Sequence, residues 1–275
     1  MREEGKRILI LGASGFLGNA LYKELCNYFD TYGTYCSARR SFEDNQKFLR
    51  YDMLEDDIHR LLQEVKPQIV ISALRGDFGA QIQAHAHLTE YLSKHRARLL
   101  FLSSANVFDA YSKYPSYEYD KTLSESIYGR LKIRIENMLL RLPPRKMGIL
   151  RLPMVFGNTS PRIREIKQAL SSGEPIEVFP NLVLNVTSDD KLCQQVHYMI
   201  NRGRHGVYHL GSTDLVHHDD FIREITAHLS KETPIFKRVY TTNEERYLAV
   251  LPRENLLPKN LQLKYQEVID HLIKQ

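Results

Sequence analysis

Short, continuously apolar runs alternate with longer amphipathic stretches along the first 150 residues. Ile8–Leu11, Ile69–Ile71 and Leu99–Leu102 hold no polar residue, the pattern of strands buried on both faces. Between them apolar residues recur at helical spacing: Leu17, Ala20, Leu21 and Leu25; then Ile58, Leu61, Leu62 and Val65; then Ala84, His87, Leu88, Tyr91 and Leu92. The pattern predicts strands at Arg7–Leu11, Thr34–Ser37, Phe48–Asp52, Pro67–Ala73, Leu99–Ser104, Met147–Arg151 and Gly206–Leu210. A further helix is expected to begin near Asp120, with Thr122-Leu123-Ser124-Glu125 at capping-box spacing, and to stop at Pro143-Pro144. From Pro161 the pattern turns to shorter helices and strands, and Asp219-Asp220 opens a helix through Phe221, Ile222, Ile225 and Leu229. Strands alternating with helices predict an α/β fold with a parallel sheet.

The 275 residues suffice for one well-buried α/β domain and a smaller lobe. No repeat or low-complexity run divides them. The apolar run Ile8–Leu11 is too short for a signal peptide and leads into glycines. No stretch approaches the roughly 20 apolar residues that span a bilayer. Cys26, Cys36 and Cys193 have neither metal nor redox-pair spacing, so they read as small core residues in a reducing cytoplasm. The net charge of +5 suits anionic small ligands, and no basic stripe with interleaved aromatics points to nucleic acid. His85 and His87, two residues apart on one helix, do not share a face, and His217-His218 reads as an exposed loop pair, so no metal site is expected.

The first strand runs into Gly12-Ala13-Ser14-Gly15-Phe16-Leu17-Gly18. Gly12 lets the chain turn out of the strand, Gly15 lets a pyrophosphate approach the backbone, and Gly18 lets the helix pack on the sheet. Free N–H groups and the positive end of the helix dipole then face an anion. A dinucleotide is the ligand this strand–turn–helix context predicts. An NAD site usually places Asp or Glu about 20 residues further on, against the ribose hydroxyls. Here the slot carries Ser37, Ala38, Arg39 and Arg40. A guanidinium fork suits a 2′-phosphate, so NADP is favoured over NAD; the other role open to Arg39 and Arg40 is a solvated loop pair.

Ser103-Ser104 ends the fifth strand, where two hydroxyls meet the crevice of the glycine loop. Tyr128 and Lys132 follow on the next helix at i,i+4, on one face. A nearby ammonium favours the phenolate of a group whose free pKa is about 10, so the tyrosine can exchange a proton near neutral pH. The lysine can also donate to ribose hydroxyls, and a serine can hold the substrate oxygen. These parts suit hydride transfer at a carbon bearing oxygen. Arg75 lies on a loop at the carboxyl end of a strand, where it fits either a substrate phosphate or solvent.

Gly12-x-x-Gly15-x-x-Gly18, Ser103-Ser104, Val107-Phe108, Tyr128-Gly129-x-x-Lys132 and Leu150-Arg151-x-x-x-Val155-Phe156-Gly157 span most of the chain. Together they resemble an extended short-chain dehydrogenase/reductase, most of all the dTDP-4-dehydrorhamnose reductase family. The resemblance implies a Rossmann-type doubly wound sheet with helices on both faces and a small α+β substrate lobe. It places the coenzyme domain at 1–157, with segments of about 181–215 returning to it, and the lobe mostly at 158–275. It implies Ser104, Tyr128 and Lys132 as the catalytic set, with Tyr128 giving a proton to a 4-keto sugar. The coenzyme set is Gly12, Ser14, Gly15, Phe16, Leu17, Gly18, Arg39, Arg40, Asp52, Met53, Ala73, Ser103, Tyr128 and Lys132. Within it Asp52 matches an Asp that accepts from the adenine amino group, although Asp52 equally suits a cap for the helix that follows. Arg75, Ser104 and Asn106 are the substrate candidates. The family usually has Asp-Tyr where this chain has Ala105-Asn106, and Asn-Ala-Ala where it has Ser72-Ala73-Leu74-Arg75. The expected activity is therefore NAD(P)H-dependent reduction of a nucleotide sugar, in the cytoplasm, with no nucleic-acid or membrane partner. Epimerisation and a non-catalytic NAD(P)-binding regulatory subunit are the alternatives. A homodimer is also implied, since the helix carrying Tyr128 often takes part in dimer contacts in the superfamily.

Overall fold

The computed structural model describes residues 5–37, 40–230 and 233–273. The chain begins β1 (Arg7–Leu11), α1 (Phe16–Leu25), β2 (Asp30–Tyr35), α2 (Arg40–Glu43), β3 (Phe48–Arg50), α3 (Ile58–Val65), β4 (Ile69–Ser72), α4 (Phe78–Lys94) and β5 (Arg98–Ser104). It continues α5 (Ile127–Leu139), β6 (Met147–Leu152), β7 (Met154–Phe156), α6 (Pro161–Ser172), β8 (Ile176–Val178), β9 (Leu182–Leu184), β10 (Val186–Ser188) and α7 (Asp189–Asn201). It ends β11 (Gly206–His209), β12 (Val216–His217), α8 (His218–Leu229), β13 (Phe236–Arg238), β14 (Arg246–Leu248) and α9 (Tyr265–Ile273).

Seven strands form one sheet in the order β3-β2-β1-β4-β5-β6-β11. It is the parallel sheet of a Rossmann-like α/β fold. Arg7 lies opposite Asp30, Ile8 opposite Ile69, and Ile69 opposite Arg98. The order reverses between β1 and β4, the topological switch point at which open α/β sheets bind ligands. Ile8–Leu11 and Ile69–Ser72 are buried throughout.

The chain divides into two compact units that interleave along the sequence. The first holds the chain through Ser103, Arg130–Leu150 and Val196–Val207; the second holds Ser104–Gly129, Arg151–Gln195 and the chain from Tyr208. Val196–Val207 thus returns to the first unit, and the stretch after β5 groups with the second. The core of the first unit packs Ile58, Leu61, Leu62 and Val65 of α3 with Leu88 and Leu92 of α4 and with Leu9, Val70 and Leu99 of the sheet. The core of the second gathers Phe156, Ile163, Val178, Val186, Phe221 and Ile269.

Five local expectations are corrected. The second strand begins at Asp30, not Thr34; Gly33 hid it, and an added Cβ there would sit 2.6 Å from the Ala13 Cβ and 2.9 Å from the Phe48 ring, a close approach that explains a strand glycine. Helix α5 begins at Ile127, not near Asp120. The Glu125 N–H goes to Asp109 Oδ1 at 2.7 Å, and the Ser126 hydroxyl, not that of Thr122, accepts from Gly129 N at 3.0 Å. On α4 it is His85, not His87, that turns inward, with Gln81, Ala84, Leu88 and Leu92. His218 is buried as the first residue of α8, not exposed. Among the cysteines Cys193 is buried but Cys36 is exposed. No described helix is long and apolar enough to cross a membrane.

Gly12 has φ +78°, and a Cβ on it would lie 2.8 Å from the Ala73 carbonyl oxygen. A Cβ on Gly18 would collide with the Gly12 carbonyl oxygen. Gly18→Ala therefore pushes α1 off the sheet. It is expected to cost about 1–3 kcal/mol, read as a lowered denaturant midpoint at unchanged m-value.

Candidate active site

The glycine turn lies at the carboxyl edges of β1 and β4. Thr34 on β2 braces the turn: its hydroxyl accepts from Gly12 N at 2.9 Å and its carbonyl from Ser14 N at 3.2 Å. Gly15 N folds back to the Gly12 carbonyl at 3.0 Å, and Gly15 is the N-cap of α1. No side chain caps α1 and its first turn carries no acid. The N–H groups of a helix start are then left for an external anion beside Phe16 and Leu17. That fits a dinucleotide pyrophosphate. Ala73 lies against Gly12 from β4.

Asp52 does not cap α3; Asp57 does, accepting from His59 N at 2.9 Å. Asp52 instead folds its own turn. Its Oδ1 takes Leu54 N at 2.9 Å and its Oδ2 the Cys36 thiol at 3.4 Å. Those two bonds hold its carboxyl below the usual range. Of its two open roles, the cap is removed. Met53 lies beside Gly76 on the loop after β4. Arg39 and the side chain of Arg40 lie outside the described residues.

Lys132, on α5, is buried with its Nζ donating to the Leu102 carbonyl at 3.0 Å and lying 4.7 Å from the centre of the Phe101 ring. Burial pushes its pKa down to about 8; Glu136 opposes the shift and the Arg75 charge adds to it. Ser103 donates to Glu136 Oε1 at 2.5 Å. Beneath this group His85 is fully buried and burial pushes it down to about 4. A neutral ring fixes the tautomer: Nδ1 donates to the Gln81 carbonyl at 2.6 Å, and Nε2 accepts from the Ser72 hydroxyl at 2.9 Å. The sequence reading missed Thr34, His85 and Glu136. Glu136 was visible in principle, four residues past Lys132 on the same face.

In the second unit Ser104 caps the turn Ala105–Phe108. Its hydroxyl donates to Asn106 Oδ1 at 2.9 Å and accepts from Asn106 N at 3.2 Å. Ser104 and Asn106 are thus brought together. Tyr128 stands in the first turn of α5, two-fifths exposed. A Cβ on the next residue, Gly129, would collide with the Ser124 hydroxyl and the Asn106 carbonyl, so the start of α5 lies directly on the Asn106 turn. Asp109 ties the approach down. Burial works to raise its carboxyl, but hydrogen bonds from Ser126, Glu125 and Ser124 hold it low. Arg75 is exposed on the loop after β4.

The model of the RmlD substrate binding domain family matches residues 6–272. The chain belongs to that family. Its relatives include the methionine adenosyltransferase 2 subunit beta of Danio rerio, 28% identical over 165 residues, covering 55% of this chain and 49% of that protein. A dTDP-4-dehydrorhamnose reductase of Aggregatibacter actinomycetemcomitans is 27% identical over 164 residues, 55% of this chain and 52% of that one. The chain thus aligns with about half the length of these curated relatives. Among solved structures, the dTDP-4-dehydrorhamnose reductase of Bacillus anthracis in complex with NADP superposes with a TM-score of 0.77 at 19% identity, over 100% of this chain and 99% of that one. At that identity the likeness speaks for the fold.

A lysine whose folded-state pKa is lowered costs stability wherever it is charged in the fold. The unfolded chain holds a proton that the folded chain lacks between about 8 and 10.5, so stability rises with pH through that window. Lys132→Met is expected to remove the rise, which is at most roughly 3 kcal/mol. Urea titrations of both proteins at pH 7.5 to about 10.5 measure the difference; parallel curves would refute the charged, buried lysine.

Proposed function

We propose that the chain is an NADP(H)-dependent oxidoreductase that reduces a nucleotide-linked 4-keto sugar. One observation carries the reading: a buried lysine of lowered proton affinity sits one helical turn past a solvent-accessible tyrosine on α5, in a chain whose glycine turn leads into a helix start with no side-chain cap. When bound, the nicotinamide supplies the hydride. Tyr128 gives its phenolic proton to the oxygen of the carbonyl being reduced. Lys132, protonated below about pH 8, favours the phenolate left behind and donates to the ribose hydroxyls. Ser104 holds the substrate oxygen once its hydroxyl leaves Asn106. Asp52 accepts from the adenine amino group, and Arg39 and Arg40 take the 2′-phosphate that distinguishes NADP from NAD. Arg75 and Asn106 are assigned to the sugar nucleotide.

A second reading is favoured by the same serine. Its hydroxyl is engaged by Asn106 as both donor and acceptor, and a relative that covers half of the chain is a subunit of another enzyme. In that reading the chain keeps the dinucleotide site and serves as a regulatory NAD(P)-binding subunit. Epimerisation uses the same Tyr–Lys pair and differs in returning the hydride to the sugar.

Two experiments separate these readings. With NADPH and a panel of dTDP-4-keto sugars, the reductase reading expects coenzyme oxidation, and Tyr128→Phe is expected to lower kcat by about a hundredfold or more with dinucleotide affinity retained. Turnover that survives Tyr128→Phe within about tenfold overturns the assigned proton donor. Dinucleotide binding without turnover of any sugar favours the subunit. By calorimetry, NADPH is expected to bind more tightly than NADH, with the preference falling in Arg39→Ala or Arg40→Ala; tighter NADH binding would remove the 2′-phosphate role.

A further inference from the structure

The outer surface of the first unit carries a second constellation that none of the coenzyme residues explains. Asp57 caps α3, and its Oδ1 is fixed by His59 N at 2.9 Å. His59 follows in the first turn of the same helix. His87 belongs to α4, on the side turned away from buried His85. Helices α3 and α4 share one core through Leu61, Leu62, Leu88 and Leu92, and that packing brings the three polar side chains together. One ligand atom from each of Asp57, His59 and His87 lies within 4.8 Å of the others. The two imidazoles face each other with centroids 5.0 Å apart and planes 36° apart. Neither ring makes a hydrogen bond among the described residues, although each has two nitrogens to satisfy.

We propose that Asp57, His59 and His87 bind a divalent transition-metal ion of the zinc type. Two imidazoles and one carboxylate are borderline donors, which select zinc, cobalt or nickel over magnesium or calcium. Ligands about 2.0–2.1 Å from a tetrahedral ion lie roughly 3.3 Å from one another. Asp57 and His87 are exposed and His59 half-buried, so side-chain rotation alone closes the remaining distance. Glu90 lies three residues past His87 on the same helical face. Its carboxylate now pairs with Lys94 at 2.6 Å, and it supplies a fourth ligand when it turns from that lysine. Bound metal clamps α3 to α4 and stabilises the unit by mass action. Binding competes with protons at the imidazoles, so affinity falls in acid.

The test uses the full chain with any affinity tag removed. Calorimetric titration with zinc chloride is expected to show one equivalent bound per chain. Cobalt(II) is expected to give the visible absorption of a four- or five-coordinate site. His59→Ala and His87→Ala are each expected to weaken zinc binding by about tenfold or more, and Glu90→Gln to weaken it less. Zinc is expected to raise the Tm of the wild type but not of His87→Ala, whose metal-free Tm and circular dichroism should match the wild type, since that side chain is exposed. His87→Gln serves as a second variant should His87→Ala misfold. One equivalent retained at full affinity in both histidine variants overturns the proposal, as does the absence of binding at sub-millimolar zinc.

Discussion

Everything in the first unit depends on how closely α1 can approach β1. The approach is set by the contact of Gly18 with the Gly12 carbonyl, and by the left-handed turn at Gly12 that faces the Ala73 carbonyl. With side chains at these positions the helix would stand off the sheet. Its uncapped start would then leave the switch point between β1 and β4, where the strand order reverses. Thr34 adds the brace that holds the turn once formed. The placement of this helix start thus follows from steric contact first and electrostatics second: its dipole and free N–H groups face the switch point only because the backbone can reach that place.

The second organising interaction is electrostatic. Lys132 carries its ammonium into a setting of Leu102, Phe101 and Glu136, with neutral His85 beneath. Burial disfavours its charge and Glu136 only partly restores it. A group so balanced changes its charge state at about pH 8, and its buried charge costs stability below that pH. Ser103 joins this network through Glu136, while Ser104, the next residue, belongs to the Asn106 turn. Two adjacent serines at one strand end therefore have separate partners: Ser103 bonds Glu136 beside the lysine, and Ser104 caps the Asn106 turn.

The sequence by itself determined the alternation of strand and helix through its hydrophobic pattern, and the glycine turn, the Tyr–Lys helix and the family through its motifs. These are local signals: continuous apolar runs, 3.6-residue periodicity, and side chains fixed four residues apart on one helix. What only the tertiary structure decided rests on contacts between segments distant in the chain. The start of α5 fell at Ile127 because Asp109 claims the N–H of Glu125, leaving Ser126 as the cap. The inward histidine of α4 is His85, because Ser72 of β4 offers it a hydroxyl. Asp52 lost the capping role to Asp57, five residues on, and keeps its own turn and the Cys36 thiol instead. The Asp57–His59–His87 cluster was invisible for the same reason: its members are close only because α3 packs on α4. Periodicity fixes which face of an element is apolar; which partner that face meets, and which polar groups meet beside it, is settled by packing.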